Sequence, residues 1–354
     1  MKIIIIIALS TLILLGCNQS KKNEIKIGVI LPLTGEVATY GQSVKKGLDI
    51  AIGEKGEGQY KLIYEDSRAD KTTALNVLEK LFFDKVNFFI GDATSSVTYE
   101  IGPKIQEKGG LLIVPIATGD KIRDIGPNVF MISPRNEKQT NEIANFIRKN
   151  YSDKKIACLY KQNDYGVNIA STFSKLFNDS IYIEAYQEGQ NEFKSILLKL
   201  KNNGVKVTFI PGNYQETALI LKQAKEINFD TQFIGTDGTY SPKLIELAGE
   251  ASEGFLLSMM PVDYDSEMYK EFSKLYSAEY KMQPDIFASY GYESVIILMQ
   301  AINSNKVHSV DETRDYLLKN TFNSLTGQLK FDEKGEAIRD YKIYKIKNSE
   351  FIPN

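Results

Sequence analysis

The fold is decided at the start of the chain by residues 25–52, IKIGVILPLTGEVATYGQSVKKGLDIAI. The segment 25–33 is apolar and rich in β-branched residues, and it leads into a polar loop. Val44, Leu48 and Ala51 then recur at helical spacing. The stretch therefore predicts a buried strand, a loop and an amphipathic helix, which together begin a parallel β-sheet.

Beyond that segment, short apolar runs alternate with amphipathic segments along the first two thirds of the chain. Eight of these runs are typical of strands: 25–33, 60–66, 86–91, 111–116, 155–160, 181–186, 205–212 and 232–238. Strands that alternate with helices of this length imply crossover units and a mostly parallel sheet covered on both faces. The alternation runs twice, and the second series begins near Lys138. We therefore predict an α/β fold with two doubly wound, Rossmann-like units in tandem.

The pattern changes after Phe255. Longer helices are predicted at 267–280, 285–303 and 310–319. The chain then closes with strand-like segments on either side of the polar turn Glu333–Gly335.

The first 16 residues have the form of a secretory signal peptide. Lys2 precedes the apolar run Ile3–Leu15, which is too short to span a bilayer comfortably, so that an uncleaved anchor is the weaker alternative. The ending LLGC resembles the lipobox of bacterial lipoproteins, which implies that Cys17 becomes the lipidated N-terminus of the mature protein. Residues 17–23 are then a lipidated tether. We expect an extracytoplasmic protein anchored by lipid to a bacterial membrane, in the periplasm or on the outer face of the cell membrane.

The composition excludes several classes of protein. The formal net charge is −2, or −3 once Lys2 is removed with the signal peptide, and the charges are interspersed, which argues against a nucleic-acid partner. Apart from Cys17 there is one cysteine, Cys158, which lies in the run KIACLY and is most simply a buried hydrophobic residue. The single histidine, His308, lies in a polar stretch, and no Cys/His cluster has zinc spacing. We therefore predict no metal and no cofactor.

The sequence does not favour an enzyme. A doubly wound sheet is typical of dinucleotide-binding enzymes, but G-x-G-x-x-G and the phosphate loop G-x-x-x-x-G-K-[ST] are absent. The nucleophile elbow G-x-S-x-G is absent as well, and His308 would be the only histidine available as a base. The carboxylates Glu65 and Asp66 at a strand end are weak evidence for acid–base chemistry.

Three hydroxyl groups stand together in FFIGDATSSVTYEIG, residues 88–102, at the point where a predicted strand gives way to a helix. One hydroxyl of Thr94, Ser95 or Ser96 is enough to cap the helix. Hydroxyl groups beside the free N–H groups of a helix start can also hold an anion. From the residues alone both interpretations stay open.

Several stretches resemble the leucine/isoleucine/valine-binding proteins, the type I periplasmic-binding family that serves ABC importers. In chain order they are IGVILPLTGEVATYGQSVKKGLDIAI, IGDATSSVT, VPIAT, YKQNDYG, LKQAKEINFDTQFIGTDG, AGEASEGFLLS and FDEKGE. The resemblance covers Glu24 to about Lys345. It implies two α/β lobes joined by three crossover segments, with a ligand trapped in the cleft between the lobes.

The resemblance also implies the boundaries of the lobes. The crossovers would lie near Ser133–Glu137, Leu257–Asp263 and Gln328–Asp332. Lobe 1 would comprise residues 24–135 and 260–330, and lobe 2 residues 136–258 and 331–354. Ligands of such sheets bind outside the carboxyl ends of the strands.

Four residues match polar positions of the family's ligand site. Ser95 matches the serine whose hydroxyl and N–H group hold the α-carboxylate, and Thr118 matches the threonine that contacts carboxylate and ammonium. Ile116 would supply a backbone carbonyl, and Asp237 stands where the family has an acid that pairs with the α-ammonium. The alternative for Ser95 and Thr118 is a capping role, and Asp237 in TDG has the alternative of a turn residue.

Three tyrosines match aromatic positions that line the cleft, Tyr40 on lobe 1 and Tyr165 and Tyr214 on lobe 2. The sequence departs from the best-known members, which carry a disulfide that would fall on Arg68 and Thr94 here. Thr94 is then expected to make the wall of the site more polar. Asp237 also replaces Glu, which leaves the side-chain preference open.

These observations predict an extracytoplasmic substrate-binding protein that captures an apolar, branched-chain-like amino acid and delivers it to the permease of an ABC importer. The alternative is a sensory protein of the same fold that binds amides, ureas or other small molecules. Asp237 distinguishes the two, because an amide or a urea has no ammonium group to neutralise.

Overall fold

The computed structural model describes residues 24–304 and 308–354. The predicted signal peptide, the lipidated Cys17 and the tether 17–23 lie outside these residues. None of the helices in the described part of the chain is long and apolar enough to cross a membrane.

The first sheet has five parallel strands in the order β2-β1-β3-β4-β5. They are β1 (Ile25–Leu31), β2 (Tyr60–Asp66), β3 (Phe88–Gly91), β4 (Leu111–Val114) and β5 (Val129–Met131). Strands β3 and β4 are buried along their whole length, as the continuous apolar runs FFIG and LLIV require in a sheet covered on both faces. The connecting helices are α1 (Ala38–Lys55), α2 (Lys71–Phe83) and α3 (Ser95–Glu107).

The second sheet repeats this order with the next five strands, which are also parallel. They are β6 (Ile156–Lys161), β7 (Tyr182–Tyr186), β8 (Val207–Ile210), β9 (Gln232–Gly235) and β10 (Leu256–Met259). The helices of this part are α4 (Asn136–Asn150), α5 (Asp164–Leu176), α6 (Lys194–Asn202), α7 (Tyr214–Glu226) and α8 (Pro242–Ala248). The buried thiol of Cys158 lies in β6, in the apolar core that the sequence predicts for it.

The C-terminal third begins with the three predicted helices: α9 (Glu267–Tyr280), α10 (Ile286–Asn303) and α11 (Val310–Lys319). Helix α10 packs closely on α1 of the first lobe because glycines stand where the helices cross. A Cβ atom on Gly47 would lie 1.9 Å from the carbonyl oxygen of Ala288, and one on Gly291 would lie 2.2 Å from that of Val44. The third part of the chain therefore completes the lobe that the first sheet begins.

The last strands divide between the two lobes. Strands β11 (Thr321–Ser324) and β12 (Gly327–Lys330) form a hairpin. Strands β13 (Lys342–Lys347) and β14 (Glu350–Pro353) extend the second sheet, with β13 antiparallel to β10.

The chain passes between the sheets three times, and the last passage lies later than the predicted Gln328–Asp332. The N–H group of Ala337 still donates to the carbonyl of Met131 in the first sheet, and Glu336 bridges to the same residue. The passage to the second sheet therefore falls between Ala337 and Lys342, because pairing with the edge of β5 holds the chain in lobe 1 until then. We propose the lobe boundaries with this change, lobe 1 continuing to about residue 337.

Candidate ligand-binding site

A cavity of about 680 Å³ lies between the two lobes, at the carboxyl ends of the parallel strands. On lobe 1 it is lined by the loops that follow β1, β2, β3 and β4, and on lobe 2 by the loops that follow β6, β7, β8 and β9. Its volume is within the range of small-molecule sites. Parallel strands end at the same edge of each sheet, so that residues far apart in sequence converge on one cavity.

Seven of the eight predicted ligand-binding residues line this cavity: Tyr40, Thr94, Ser95, Ile116, Thr118, Tyr165 and Asp237. Tyr214 does not line it. Its ring lies behind Tyr40 with a centroid distance of 5.7 Å, and its hydroxyl lies 3.0 Å from that of Thr39. The sequence places Tyr214 after a strand end correctly but cannot tell which of two stacked aromatic rings faces the cavity.

The lobe 1 wall contains the start of helix α3. Ser95, the first residue of the helix, is 3% exposed, and its hydroxyl has no hydrogen-bond partner in the described chain. Thr94 precedes it as the N-cap residue, yet its side chain accepts no hydrogen bond from the first turn. Free N–H groups and an unpartnered hydroxyl together form a site that suits an anion.

The hydroxyl of Ser96 does not cap the helix, although one of the three hydroxyl groups is expected to do so. Burial favours a higher pKa for Asp164 on lobe 2, but hydrogen bonds with Lys71 and Ser96 outweigh it and hold the pKa below its usual value. Ser96 therefore contacts the opposite lobe instead of capping α3.

The lobe 2 wall contains a half-buried carboxylate, that of Asp237. One of its oxygens accepts hydrogen bonds from the hydroxyl of Tyr165 and from the N–H group of Gly238, each at 2.8 Å. Burial raises the pKa of Asp237. Among residues 24–304 and 308–354, no basic side chain forms an ion pair with it. Withdrawing a carboxylate from water without a cation beside it is costly, and a bound cation relieves that cost.

Tyr40 joins the two lobes at the cavity. Its hydroxyl donates to the carbonyl of Gly238 at 2.5 Å, and its ring packs edge-on against Phe287 of α10 at 5.4 Å. Thr118 and Ile116 are buried beside the cavity, and the carbonyl of Thr118 accepts the N–H group of Asn136 at 2.6 Å. These residues supply the fixed walls of the cavity.

Several other polar groups of the lining already have protein partners. Asp70 caps α2 by accepting the N–H group of Thr73 at 2.7 Å, and Asn163 caps α5 through Gly166 at 2.9 Å. Lys71 and Asp164 form an ion pair across the cleft at 3.0 Å. Glu188 pairs with the buried Lys161 at 2.9 Å. The groups available to a ligand are therefore concentrated at Ser95 and Asp237.

Some residues of the lining are not predicted from the sequence. Phe287 comes from the start of α10, far along the chain from α1, and no local pattern shows which loop a phenylalanine of that helix faces. Val37 and Val167 also line the cavity. Their only signal is their position just after strand ends.

A cavity with both polar and apolar walls between the strand ends of two α/β lobes is typical of a two-lobed ligand-binding protein. Comparison with known proteins identifies the kind. A family model described as periplasmic binding protein matches residues 24–350. The chain belongs to this family, in its leucine/isoleucine/valine-binding branch, and the predicted family and fold class are confirmed. It is accordingly an extracytoplasmic binding protein and not an enzyme.

The names of individual relatives give different ligands. The leucine-, isoleucine-, valine-, threonine- and alanine-binding protein of Pseudomonas aeruginosa is 30% identical over 336 residues, which cover 91% of this chain and 90% of that protein. LivJ of Streptococcus pneumoniae, solved with isoleucine, has a TM-score of 0.83 at 26% identity and covers 93% of this chain and 97% of its own. A solute-binding protein of R. palustris, solved with benzoate, has a TM-score of 0.86 at 21% identity, with 93% and 95% covered. The last comparison concerns the fold alone.

Proposed function

We propose that the protein captures an apolar α-amino acid between its lobes and delivers it to an ABC importer. The observation that carries this proposal is the pair of unmatched groups in one cavity. Within the described residues, Asp237 on lobe 2 is a half-buried carboxylate without a cation, and Ser95 on lobe 1 carries an unpartnered hydroxyl at a helix start without a side-chain cap. An α-amino acid carries the two complementary charges on adjacent atoms.

In this proposal the carboxylate of the ligand meets Ser95, Thr118 and the N–H groups at the start of α3. The ammonium group meets Asp237 and the carbonyl of Ile116. Charge-assisted hydrogen bonds of this kind discriminate strongly against a ligand that lacks one of the charges.

The side chain of the ligand would lie against the apolar part of the lining. Tyr40, Tyr165 and Phe287 contribute aromatic surface, and Val37 and Val167 contribute aliphatic surface. Asp70, Asn163 and Glu188 have protein partners, so that an apolar side chain does not leave them unsatisfied.

The relatives support an amino acid without fixing which one. The Pseudomonas and Streptococcus proteins are named for branched-chain and small amino acids. The benzoate-binding neighbour carries a ligand with a carboxylate but no ammonium group. Asp237 is the feature of this chain that favours the amino acid over such a carboxylate, and over an amide or a urea.

Calorimetric titration of the wild type with L-leucine and with 4-methylpentanoate, which is leucine without its amino group, tests the proposal. We expect binding of L-leucine or of another apolar amino acid and none of the carboxylate at the same concentration. Asp237→Asn keeps an oxygen for Gly238 and Tyr165 but removes the charge. Loss of a buried charged partner costs about 2–5 kcal/mol, so the Kd should rise about 30-fold to several thousand-fold.

Asp230→Asn is the matched control, because Asp230 carries the same charge on lobe 2 but is exposed and pairs with Lys206. Its Kd should equal that of the wild type. Failure of the wild type to bind any of the twenty amino acids, or equal binding by wild type and Asp237→Asn, would contradict the proposal. Binding of an amide or a urea in their place would favour the sensory alternative.

We also propose that the mature protein is lipidated on Cys17. The sequence LLGC and the short apolar run before it support this. Cells fed a radiolabelled fatty acid should label the wild type, and Cys17→Ser should remove the label and release the protein from the membrane fraction. Label retained by Cys17→Ser would contradict the assignment.

A further inference from the structure

Asp92 is a buried carboxylate that none of the roles above uses. It lies between β3 and α3, three residues before Ser95, and is 0% exposed. It does not line the cavity itself. The segments on either side of it do, residues 69–72 after β2 and residues 93–96 before and within α3.

Asp92 joins these two segments through hydrogen bonds of both carboxylate oxygens. One oxygen accepts the N–H group of Thr94 at 2.7 Å and its hydroxyl at 2.8 Å. The other accepts the hydroxyl of Ser67 at 2.6 Å. The Ser67 oxygen in turn accepts the N–H group of Ala69 at 3.2 Å, at the edge of the cavity.

The bond to the Thr94 hydroxyl explains why α3 has no side-chain cap. Thr94 has an extended backbone, with φ −116° and ψ 140°, and threonine is a favourable N-cap residue. In that position its oxygen would ordinarily accept the N–H group of Ser96 or Val97. Here the hydroxyl donates to Asp92, which turns its oxygen away from the first turn, and Thr94 gives that turn no side-chain cap. The hydroxyl of Ser95 beside it has no partner among the described residues.

We propose that Asp92 is a positioning residue of the carboxylate subsite, which keeps the Thr94 hydroxyl from capping α3 and so leaves the first-turn N–H groups to the ligand. This inference rests on the proposed function, because it requires a ligand carboxylate at the start of α3. Asp92 acts through Thr94 and Ser95 and does not touch the ligand.

Asp92→Asn and Asp92→Ala separate the hydrogen-bond acceptor at this position from its negative charge. Asparagine retains an oxygen that accepts both groups of Thr94, whereas alanine releases the hydroxyl to cap the helix. We expect the Kd for L-leucine to rise at least tenfold in Asp92→Ala and to stay within about threefold of the wild type in Asp92→Asn.

Two further readouts distinguish positioning from a general structural role. L-leucinamide lacks the carboxylate, so Asp92→Ala should weaken L-leucine much more than L-leucinamide and reduce the ratio of their affinities. Adding Thr94→Val to Asp92→Ala removes the hydroxyl that would form the cap and should restore most of the lost affinity. A structural lesion would weaken both ligands equally and would not be repaired by Thr94→Val.

Hydrogen exchange in the ligand-free protein tests the inference independently of the ligand. The amide of Ser96 or that of Val97 should exchange more slowly in Asp92→Ala than in the wild type, because the Thr94 oxygen now accepts one of the two. If the wild type binds no amino acid, the proposed function fails, and this exchange measurement still decides the role of Asp92.

Thermal unfolding of each variant verifies that it is folded. If Asp92→Ala is unfolded, Asp92→Ser replaces it, since its oxygen is one bond too short to hold the Thr94 hydroxyl. The inference is overturned by unchanged exchange at Ser96 and Val97, by an unchanged leucine-to-leucinamide ratio, or by Asp92→Asn binding as weakly as Asp92→Ala.

Discussion

Substituting Lys71 and Asp164 measures how much a contact outside the ligand contributes to closure of the lobes. Lys71 begins α2 on lobe 1 and Asp164 begins α5 on lobe 2, and their charged atoms are 3.0 Å apart across the cleft. Release of an enclosed ligand requires the lobes to separate, so this pair must break each time. The ion pair is therefore present in the closed state alone and contributes to apparent affinity.

The magnitude follows from the exposure of the pair. The side chains are 47% and 44% exposed, and exposed ion pairs contribute about 0.2–1 kcal/mol. Since about 1.4 kcal/mol corresponds to a tenfold change, the coupling between the two residues should change the Kd about 1.4- to 5-fold. Lys71 also lies 3.4 Å from Glu100 on its own lobe, so Asp164→Asn alone leaves the lysine with a partner.

The assay is a double-mutant cycle on the Kd for L-leucine with Lys71→Gln, Asp164→Asn and the combined variant. Asp164 also stabilises the start of α5, but that effect is the same in open and closed states and cancels in the cycle. The coupling should be largest at 0.01 M salt and nearly vanish at 1 M, where the Debye length falls to about 3 Å. The same cycle on Lys206 and Asp230, a pair within lobe 2, should give no coupling to ligand affinity. Zero coupling at low salt, or coupling that salt does not change, would refute the reasoning.

Three further predictions concern stability and reactivity. Burial raises the pKa of Asp92 to about 6, above its unfolded value of about 4, so that the folded protein binds the extra proton between these values and loses stability as the pH rises. Relative to Asp92→Asn, the wild type should gain about 2 kcal/mol between pH 7 and pH 4.5, measured by urea unfolding, and a gap independent of pH would contradict this. Gly47→Ala should destabilise the protein by about 1–3 kcal/mol because its Cβ would collide with Ala288, whereas Gly53→Ala in the same helix has open space and should stabilise it by about 0.5–1 kcal/mol. Equal melting temperatures for these two variants would count against the packing argument. Cys158 is 0% exposed and burial raises the pKa of its thiol, so a thiol reagent should modify it only in urea, and rapid modification of the native protein would contradict its position in the core.

The course of the strands and helices follows closely from the sequence because parallel sheets buried on both faces require continuous apolar runs. The run 60–66 is a strand over its full predicted length, and the predicted helices 267–280 and 310–319 have the observed limits. Some strands are shorter than the apolar runs that predict them, as at 205–212, where the strand covers Val207–Ile210. Apolar residues that follow a strand line the core or the cavity without belonging to the sheet, and hydrophobicity does not distinguish these environments.

The position of the last crossover and the aromatic residues that line the cavity could not be predicted, for a related reason. The pairing of Ala337 with Met131 joins residues more than 200 positions apart, and nothing local in FDEKGE indicates the sheet edge that it joins. Phe287 and Tyr214 likewise depend on which helix face meets which loop. Motif matching identifies the charged and hydroxyl-bearing residues at the strand ends. Tertiary packing decides which aromatic residues line the cavity.

In the role that we propose for Asp92, a polar residue influences selectivity without contacting a ligand. A threonine before a helix would ordinarily satisfy the helix with its own oxygen and leave little for an anion. A buried carboxylate that takes the hydroxyl removes this competitor, at the cost of burying a charged group. The polar residues around the cavity divide in a similar way. Asp70 and Asn163 cap helices, whereas in the described chain the hydroxyl of Ser95 has no hydrogen-bond partner and the carboxylate of Asp237 has no cation beside it. In the proposed function, selectivity for a zwitterion follows from these two groups, since the ligand supplies a cation for Asp237 and an acceptor for the hydroxyl of Ser95.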